Sequence, residues 1–314
     1  MASVYGPVSS RRFGQSIGIN FIPPKTCTYS CVYCQLGRTN PLTCTRIAAY
    51  KPQEIVNQVQ QRLKEIKDTG QKVDTLTFVS NGEPTLDLHI GTTIHMLKPN
   101  QIPIAVITNA SLLFLPEMRT ALGSADLVSV KIDSVRESTW QSINRPHGKL
   151  KLPSILNGIR EFSESFDGTL LSETMLVSGL NDSDSEVLEI AAFIHEIHVG
   201  KAYLGLPLRP PCESWVKPPD AERLAEIFHI FQTQISDVEV LMSLPETELV
   251  EENQPVKKLL DILMVHPLSE PEIQSYLEKN SLEKATLENL VGDGKLICKT
   301  IKGNRYYLRN YLSI

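Results

Sequence analysis

The sequence predicts an α/β chain, an open (β/α)6 partial TIM barrel followed by a small helical domain. Six short apolar segments alternate with amphipathic helical segments between residues 16 and 232, and polar clusters recur just past the ends of the strand-like segments. Beyond an acidic, poorly periodic stretch near residues 244–254 the pattern changes. Strand–helix alternation builds a parallel sheet with right-handed crossovers, and six repeats suit an unclosed barrel.

Residues 16–22 read as the first strand and run straight into a cysteine-rich loop. Residues 51–68 form a helix: Ile55, Val56, Val59, Leu63 and Ile66 share one face, Pro52 opens it and Gly70 closes it. Residues 74–80 are the second strand, and Ile90, Ile94 and Leu97 mark the helix after it. The third strand, 104–108, precedes a helix near 112–122, and the fourth spans 127–132. Ile155, Leu156, Ile159 and Phe162 set a helix over 152–166. The fifth and sixth strands, 169–177 and 201–206, flank a helix at 187–197, and the stripe Leu224, Ile227, Phe228 and Phe231 ends the barrel.

The chemistry-bearing stretch is Cys27, Cys31 and Cys34, three of six cysteines in a C-x3-C-x2-C spacing. Thiolates held by so short a loop suit zinc or an iron–sulfur cluster. A closed structural zinc site wants a fourth protein ligand, and Cys44 is the near cysteine without a partner-like spacing. Three ligands leave one corner open for a small molecule to chelate.

In a parallel barrel, reactive groups gather at the carboxyl ends of the strands. The second strand leads into Gly82 and Glu83, which serve either a ligand's ammonium group or a plain turn. Asn109 follows the third strand, and Ser129, Lys131 and Asp133 alternate along the fourth, so all three are expected to enter the barrel. Lys131, Arg145 and Cys212 are candidates for contact with substrate. Arg145 and Lys149 suit a phosphate or carboxylate, as does Arg209 near the barrel mouth, while Cys212 is equally a packed thiol. Residues 178–182 are either a cofactor-side loop or a turn capping the next helix.

With Tyr33 just before its last cysteine, the motif resembles that of the radical S-adenosylmethionine (SAM) superfamily. The resemblance implies that Cys27, Cys31 and Cys34 each bind one iron of a [4Fe-4S] cluster and that SAM chelates the fourth. It also implies that Tyr33 lies against the adenine, that Gly82 and Glu83 take the methionine amino group, and that Asn109, Ser129, Lys131 and Asp133 are cofactor-side positions. Arg11 and Arg12, residues 81–85 and residues 177–182 resemble a little-characterised branch allied to the tRNA wyosine-synthesis enzymes. The implied activity is reductive cleavage of SAM to a 5'-deoxyadenosyl radical that abstracts hydrogen from substrate. A low-potential donor such as flavodoxin or ferredoxin supplies the electron. Unlike the wyosine enzymes, this sequence has no evident second cluster motif, and its barrel is acidic.

A chain of 314 residues, 41% hydrophobic, can bury a large core, and its net charge of −5 argues against an overall grip on nucleic acid. No apolar run suggests a signal or a membrane span, and clustered free cysteines fit a cytoplasmic setting. The domain division expected is 1–244 for the barrel, 245–254 for an acidic linker and 255–314 for the last domain. Helices at 256–264, 270–279 and 282–291, followed by a hairpin, resemble a winged helix-turn-helix domain whose wing carries Lys295, Lys299, Lys302, Arg305 and Arg309. Such a wing suits a nucleic acid or a protein partner. The leading expectation is a radical SAM enzyme acting on tRNA or another nucleic acid. The alternatives are radical modification of a peptide or small molecule, and an iron–sulfur redox sensor that regulates DNA.

Overall fold

The computed structural model describes residues 3–10, 12–67, 70–241, 255–265, 268–301 and 304–310. Its main body is an eight-stranded sheet in sequence order: β1 (Ser3–Ser10), β2 (Gly14–Asn20), β3 (Thr75–Phe78), β4 (Ile104–Thr108), β5 (Leu127–Lys131), β6 (Thr169–Met175), β7 (Lys201–Gly205) and β8 (Val238–Leu241). β2 through β8 pair in parallel, and β1 joins β2 as an antiparallel hairpin. The crossovers carry α1 (Pro52–Lys67), α2 (Ile90–Leu97), α3 (Pro116–Leu122), α4 (Glu137–Asn144), α5 (Leu152–Ser165), α6 (Asp184–Glu196) and α7 (Ala221–Gln232). β1 and β8 are the two edges, so this is the partly closed barrel expected, with two strands more than the six read from the sequence.

The extra elements have physical reasons for having been hidden. In β1 the alternation breaks at Gly6-Pro7, where the register with β2 shifts between Tyr5 and Val8. Gly6 takes φ +99°, and a Cβ there would stand 2.6 Å from the Ser16 carbonyl. β8 is four residues long and mostly half-buried. α4 buries only Trp140, Ile143 and Asn144, too few for a visible stripe.

One face of the sheet packs on the helices. Ile17, Ile19, Leu76, Val106, Val128 and Leu204 meet Ile55, Ile94, Leu122, Ile159 and Ile190 in one core. On the other face Phe13, Ala105, Leu171, Tyr203 and Leu241 form a separate apolar cluster. Alternation along the strands then carries Lys131 and Glu173 to the wall of the barrel cavity.

The C-terminal elements are α8 (Pro255–Val265), β9 (Leu268–Ser269), α9 (Glu270–Lys279), α10 (Lys284–Gly292), β10 (Leu296–Ile301) and β11 (Asn304–Arg309), with an antiparallel sheet in the order β10-β11-β9. Their core of Leu259, Leu263, Ile273, Tyr276, Leu287 and Leu290 also takes in Tyr5 and Val8 of β1. Arg62 meets Asp261 at 3.5 Å across the same seam. The acidic linker expected at 245–254 lies outside the described residues, as do Arg11, Lys302 and the side chains of Lys299 and Arg309. The other two bases expected on a wing are paired: Arg305 with Glu270 and Lys295 with Asp293, each at 3.1 Å. Among the described residues no helix is long and apolar enough to cross a membrane.

Candidate active site

The cysteine loop follows β2 and is held on every side by backbone hydrogen bonds. Ser30 N and Val32 N each donate at 2.9 Å to the end of α4, at Asn144 O and Ile143 O. Glu83 N donates to Thr26 O at 3.0 Å, Thr43 N to Cys27 O at 2.9 Å and Glu213 N to Val32 O at 3.0 Å. Gly82 belongs to this frame: a Cβ there would stand 2.0 Å from the Thr26 carbonyl oxygen. Glycine is required here by the loop packed against it.

Two amides point at the sulfurs, Asn144 Nδ2 at 3.4 Å from Cys31 Sγ and Asn109 Nδ2 at 3.6 Å from Cys27 Sγ. Burial pushes all three thiols up, Cys31 to about 12. In so poorly solvated a place the thiolates need a bound cation to stabilise them, and binding one releases the thiol protons to solvent.

Around them opens a cavity of about 560 Å3. Its lining includes Cys27, Cys31, Cys34 and Tyr33, then Gly82, Glu83 and Asn109, then Arg12, Lys131, Glu173 and Arg209, with Ser269 and Glu272 from the C-terminal elements. Ser80 Oγ, in the same wall, is buried and makes no hydrogen bond to the protein. An orphaned hydroxyl of this kind is stabilised by a polar ligand.

Glu83 is 2% exposed and accepts four hydrogen bonds. Oε1 accepts from Thr85 N at 3.0 Å and from the Thr85 and Thr108 hydroxyls at 2.6 Å each, and Oε2 accepts from Asn109 N at 2.8 Å. Burial raises its pKa despite these bonds, which pull the other way. The side chain therefore ties the end of β3 to the end of β4.

Lys131 pairs with Glu173 at 2.9 Å, as the β5–β6 register places the two directly opposite. Its ammonium also lies 4.8 Å from the centre of the Tyr33 ring. Burial works against the lysine's charge, but Glu173 and Asp133 outweigh it and the pKa rises. Arg12 meets Glu173 as well, so one carboxylate serves two cations. Glu173, Asn144, Ser269 and Glu272 went unnamed as site residues in the sequence. A glutamate as the one charged residue of its strand was the available signal for Glu173.

The remaining candidates fall elsewhere. Asp133 does not line the cavity: it lies 3% exposed beneath it, accepting from the Tyr33 hydroxyl, from Asn144 Nδ2 at 2.7 Å and from Met175 N at 2.8 Å. Ser129 is buried under the charged layer, 3.5 Å from Arg12. Arg145 and Cys212 stand apart from the cavity lining, Arg145 paired with Glu213 at 2.5 Å and Cys212 3.9 Å from the same carboxylate. In the loop at 178–182, buried Asn181 donates to the backbone carbonyls of Asp133 and Met175 at 2.7 and 2.9 Å, so this loop braces the ends of β5 and β6.

Residues 21–194, more than half of the chain, match the Radical SAM superfamily. The chain belongs to this superfamily. Radical SAM proteins are enzymes that use a [4Fe-4S] cluster and SAM, and those are the cofactors of this one. The chain is 38% identical to the UPF0026 protein MJ1312 of Methanocaldococcus jannaschii over 100% of its own length and 98% of that protein's. Among solved structures, a radical SAM methyltransferase from Sphaerobacter thermophilus superposes with a TM-score of 0.54 at 16% identity, covering 72% of this chain and 66% of that one. SuiB of Streptococcus suis bound to S-adenosylmethionine gives 0.51 at 14% identity, covering 70% and 46%. Both likenesses are of fold.

Proposed function

We propose that Cys27, Cys31 and Cys34 each hold one iron of the cluster, that SAM lies between them and the ends of β3 and β4, and that the substrate's reacting end meets the charged layer of Lys131 and Glu173. The observation that carries this is the cavity joining the three thiols, the Gly82–Glu83 turn and that layer. The donor set fits. No group of three or more His, Cys, Asp or Glu among the described residues is placed to hold one metal ion, whereas a cluster gives each sulfur its own iron.

Held by Cys27, Cys31 and Cys34, the cluster would supply the low-potential electron that breaking the C5'–S bond of SAM requires. The protein's own residues do the positioning. With Oε1 of Glu83 occupied by three donors and Oε2 by one, the backbone of residues 80–83, the Ser80 hydroxyl and Glu83 Oε2 are the groups that receive the methionine end. Asp133 and Asn144 fix the Tyr33 hydroxyl, so the ring keeps one orientation. The apolar cluster of Phe13, Leu171, Tyr203 and Leu241 keeps water from the barrel's other end.

For the substrate, the cavity suits a small polar molecule or one extended group of a larger one. The cavity wall also holds Arg209 and Glu272, whose Oε1 is buried without a hydrogen bond 3.8 Å from the Arg209 guanidinium. That oxygen wants a donor from the substrate. The test is anaerobic reconstitution followed by dithionite and SAM. The expected result is about four irons per chain, with 5'-deoxyadenosine and methionine formed. Cys31→Ala loses the brown colour and the cleavage. A colourless protein holding zinc at the loop refutes the reading.

A further inference from the structure

We propose that the surface around the cysteine loop is the docking face for an acidic one-electron carrier protein, centred on Arg38 and Trp215. The proposal rests on the cluster reading above and names the partner of that site.

Charge is the first reason. Residues 22–51 and 143–151 contain Lys25, Arg38, Arg46, Lys51, Arg145, Lys149 and Lys151, and no Asp or Glu. Taking these seven from the chain's 31 basic residues leaves 24 against 36 acidic ones, so the segments at and beside the cysteine loop are basic in an acidic chain, although Arg46 is turned to the Thr85 and Asp87 carbonyls. Contact is the second. The strip at 41–43 bonds Cys27 through Pro41 O and Thr43 N, the 143–147 segment bonds Thr28, Ser30 and Val32, and Glu213 N bonds Val32 O. Arg38 and Arg145 both pair with Glu213, at 3.1 and 2.5 Å, which sets these segments side by side and uses up the acid between them.

The face also has apolar anchors. Trp215 is 48% and Leu42 37% exposed, each on a strip bonded to the cysteine loop. A large aromatic and an arginine amid basic residues are what a protein interface concentrates. Short basic segments suit a small acidic protein, whereas an RNA would run off them onto acidic surface and be repelled. The strips that carry Arg38, Leu42 and Trp215 are bonded directly to the loop that bears the three cysteines, so a carrier seated here stands close to the cluster. The carrier loses one electron, the cluster gains it, and no bond at the surface is made or broken.

The test uses the full chain, reconstituted anaerobically, with a flavodoxin as probe. Arg38→Glu and Trp215→Ala are compared with wild type in two assays. One is 5'-deoxyadenosine formation driven by flavodoxin hydroquinone or by dithionite. The other is direct binding of oxidised flavodoxin at low and high salt. We expect each variant to lose about tenfold or more in flavodoxin binding and flavodoxin-driven turnover, with the dithionite-driven rate within about twofold of wild type. Wild-type binding weakens as salt rises. Unchanged flavodoxin binding in both variants overturns the proposal. So does loss of tRNA binding with carrier-driven turnover intact, which would assign the face to RNA. If dithionite yields no 5'-deoxyadenosine from wild type, the cluster reading fails, and the binding assay still decides the docking face.

Discussion

Gly82→Ala tests how the cysteine loop is held. The added methyl carbon would lie 2.0 Å from Thr26 O, 2.9 Å from Thr26 C and 3.0 Å from Ile22 Cγ2, where ordinary contact begins near 3.4 Å. The nearest two are backbone atoms, so no rotamer relieves the clash, and the Thr26 carbonyl must retreat by about 1.4 Å. That movement breaks the Glu83 N to Thr26 O bond and shifts Cys27. Overpacking of this kind costs about 1–3 kcal/mol and the lost bond about 1 kcal/mol more. The apoprotein should melt roughly 3–6 °C lower and take up substoichiometric iron on reconstitution. Gly148→Ala is the control, since nothing lies within 4 Å of a Cβ there. A Gly82→Ala protein that melts within about a degree of wild type and binds full iron would refute the packing argument.

Asn144→Ala removes a donor to the buried Asp133 carboxylate and the amide nearest Cys31. It should cost about 1.5–3 kcal/mol in urea unfolding and lower the cluster's reduction potential in an EPR-monitored titration. Glu173→Ala strands Arg12 and Lys131 beside each other. A loss of about 3–5 kcal/mol is expected, partly restored by added formate in a melting assay; no restoration would count against the paired-cation account. The Asp74 carboxyl is held below the usual aspartate range by Lys72 at 2.6 Å and by the Gln15 amide at 2.9 Å. Its folded pKa lies below its unfolded one, so its contribution is full at neutral pH and vanishes as pH falls through the folded value. Asp74→Asn should therefore destabilise at pH 7, and the difference should shrink in unfolding measured near pH 3.

Legibility in the sequence follows the range of the forces involved. β4 and α5 were readable because apolar periodicity and proline punctuation are local, and the cysteine loop because its ligands are close neighbours in the chain. Glu173 was not, since its meaning depends on standing opposite Lys131, and register between strands is written in neither strand alone. Alternation predicted that Ser129, Lys131 and Asp133 face one way, but β5 ends at Lys131 and Asp133 turns beneath Tyr33. Gly82 read as freedom for a ligand to approach. Its neighbour is instead the chain itself, a contact between segments more than fifty positions apart.

The hairpin strand β1 is shared with the other end of the protein. Tyr5 and Val8 lie in one core with α8 and α9, and Gly6 N lies 3.5 Å from an Asp261 oxygen 255 positions away. During synthesis this strand leaves the ribosome well before its partners exist, so the barrel's edge waits, greasy and unsealed, until translation is nearly over. Chaperones have a reason to attend that interval, and early pauses in decoding would lengthen it.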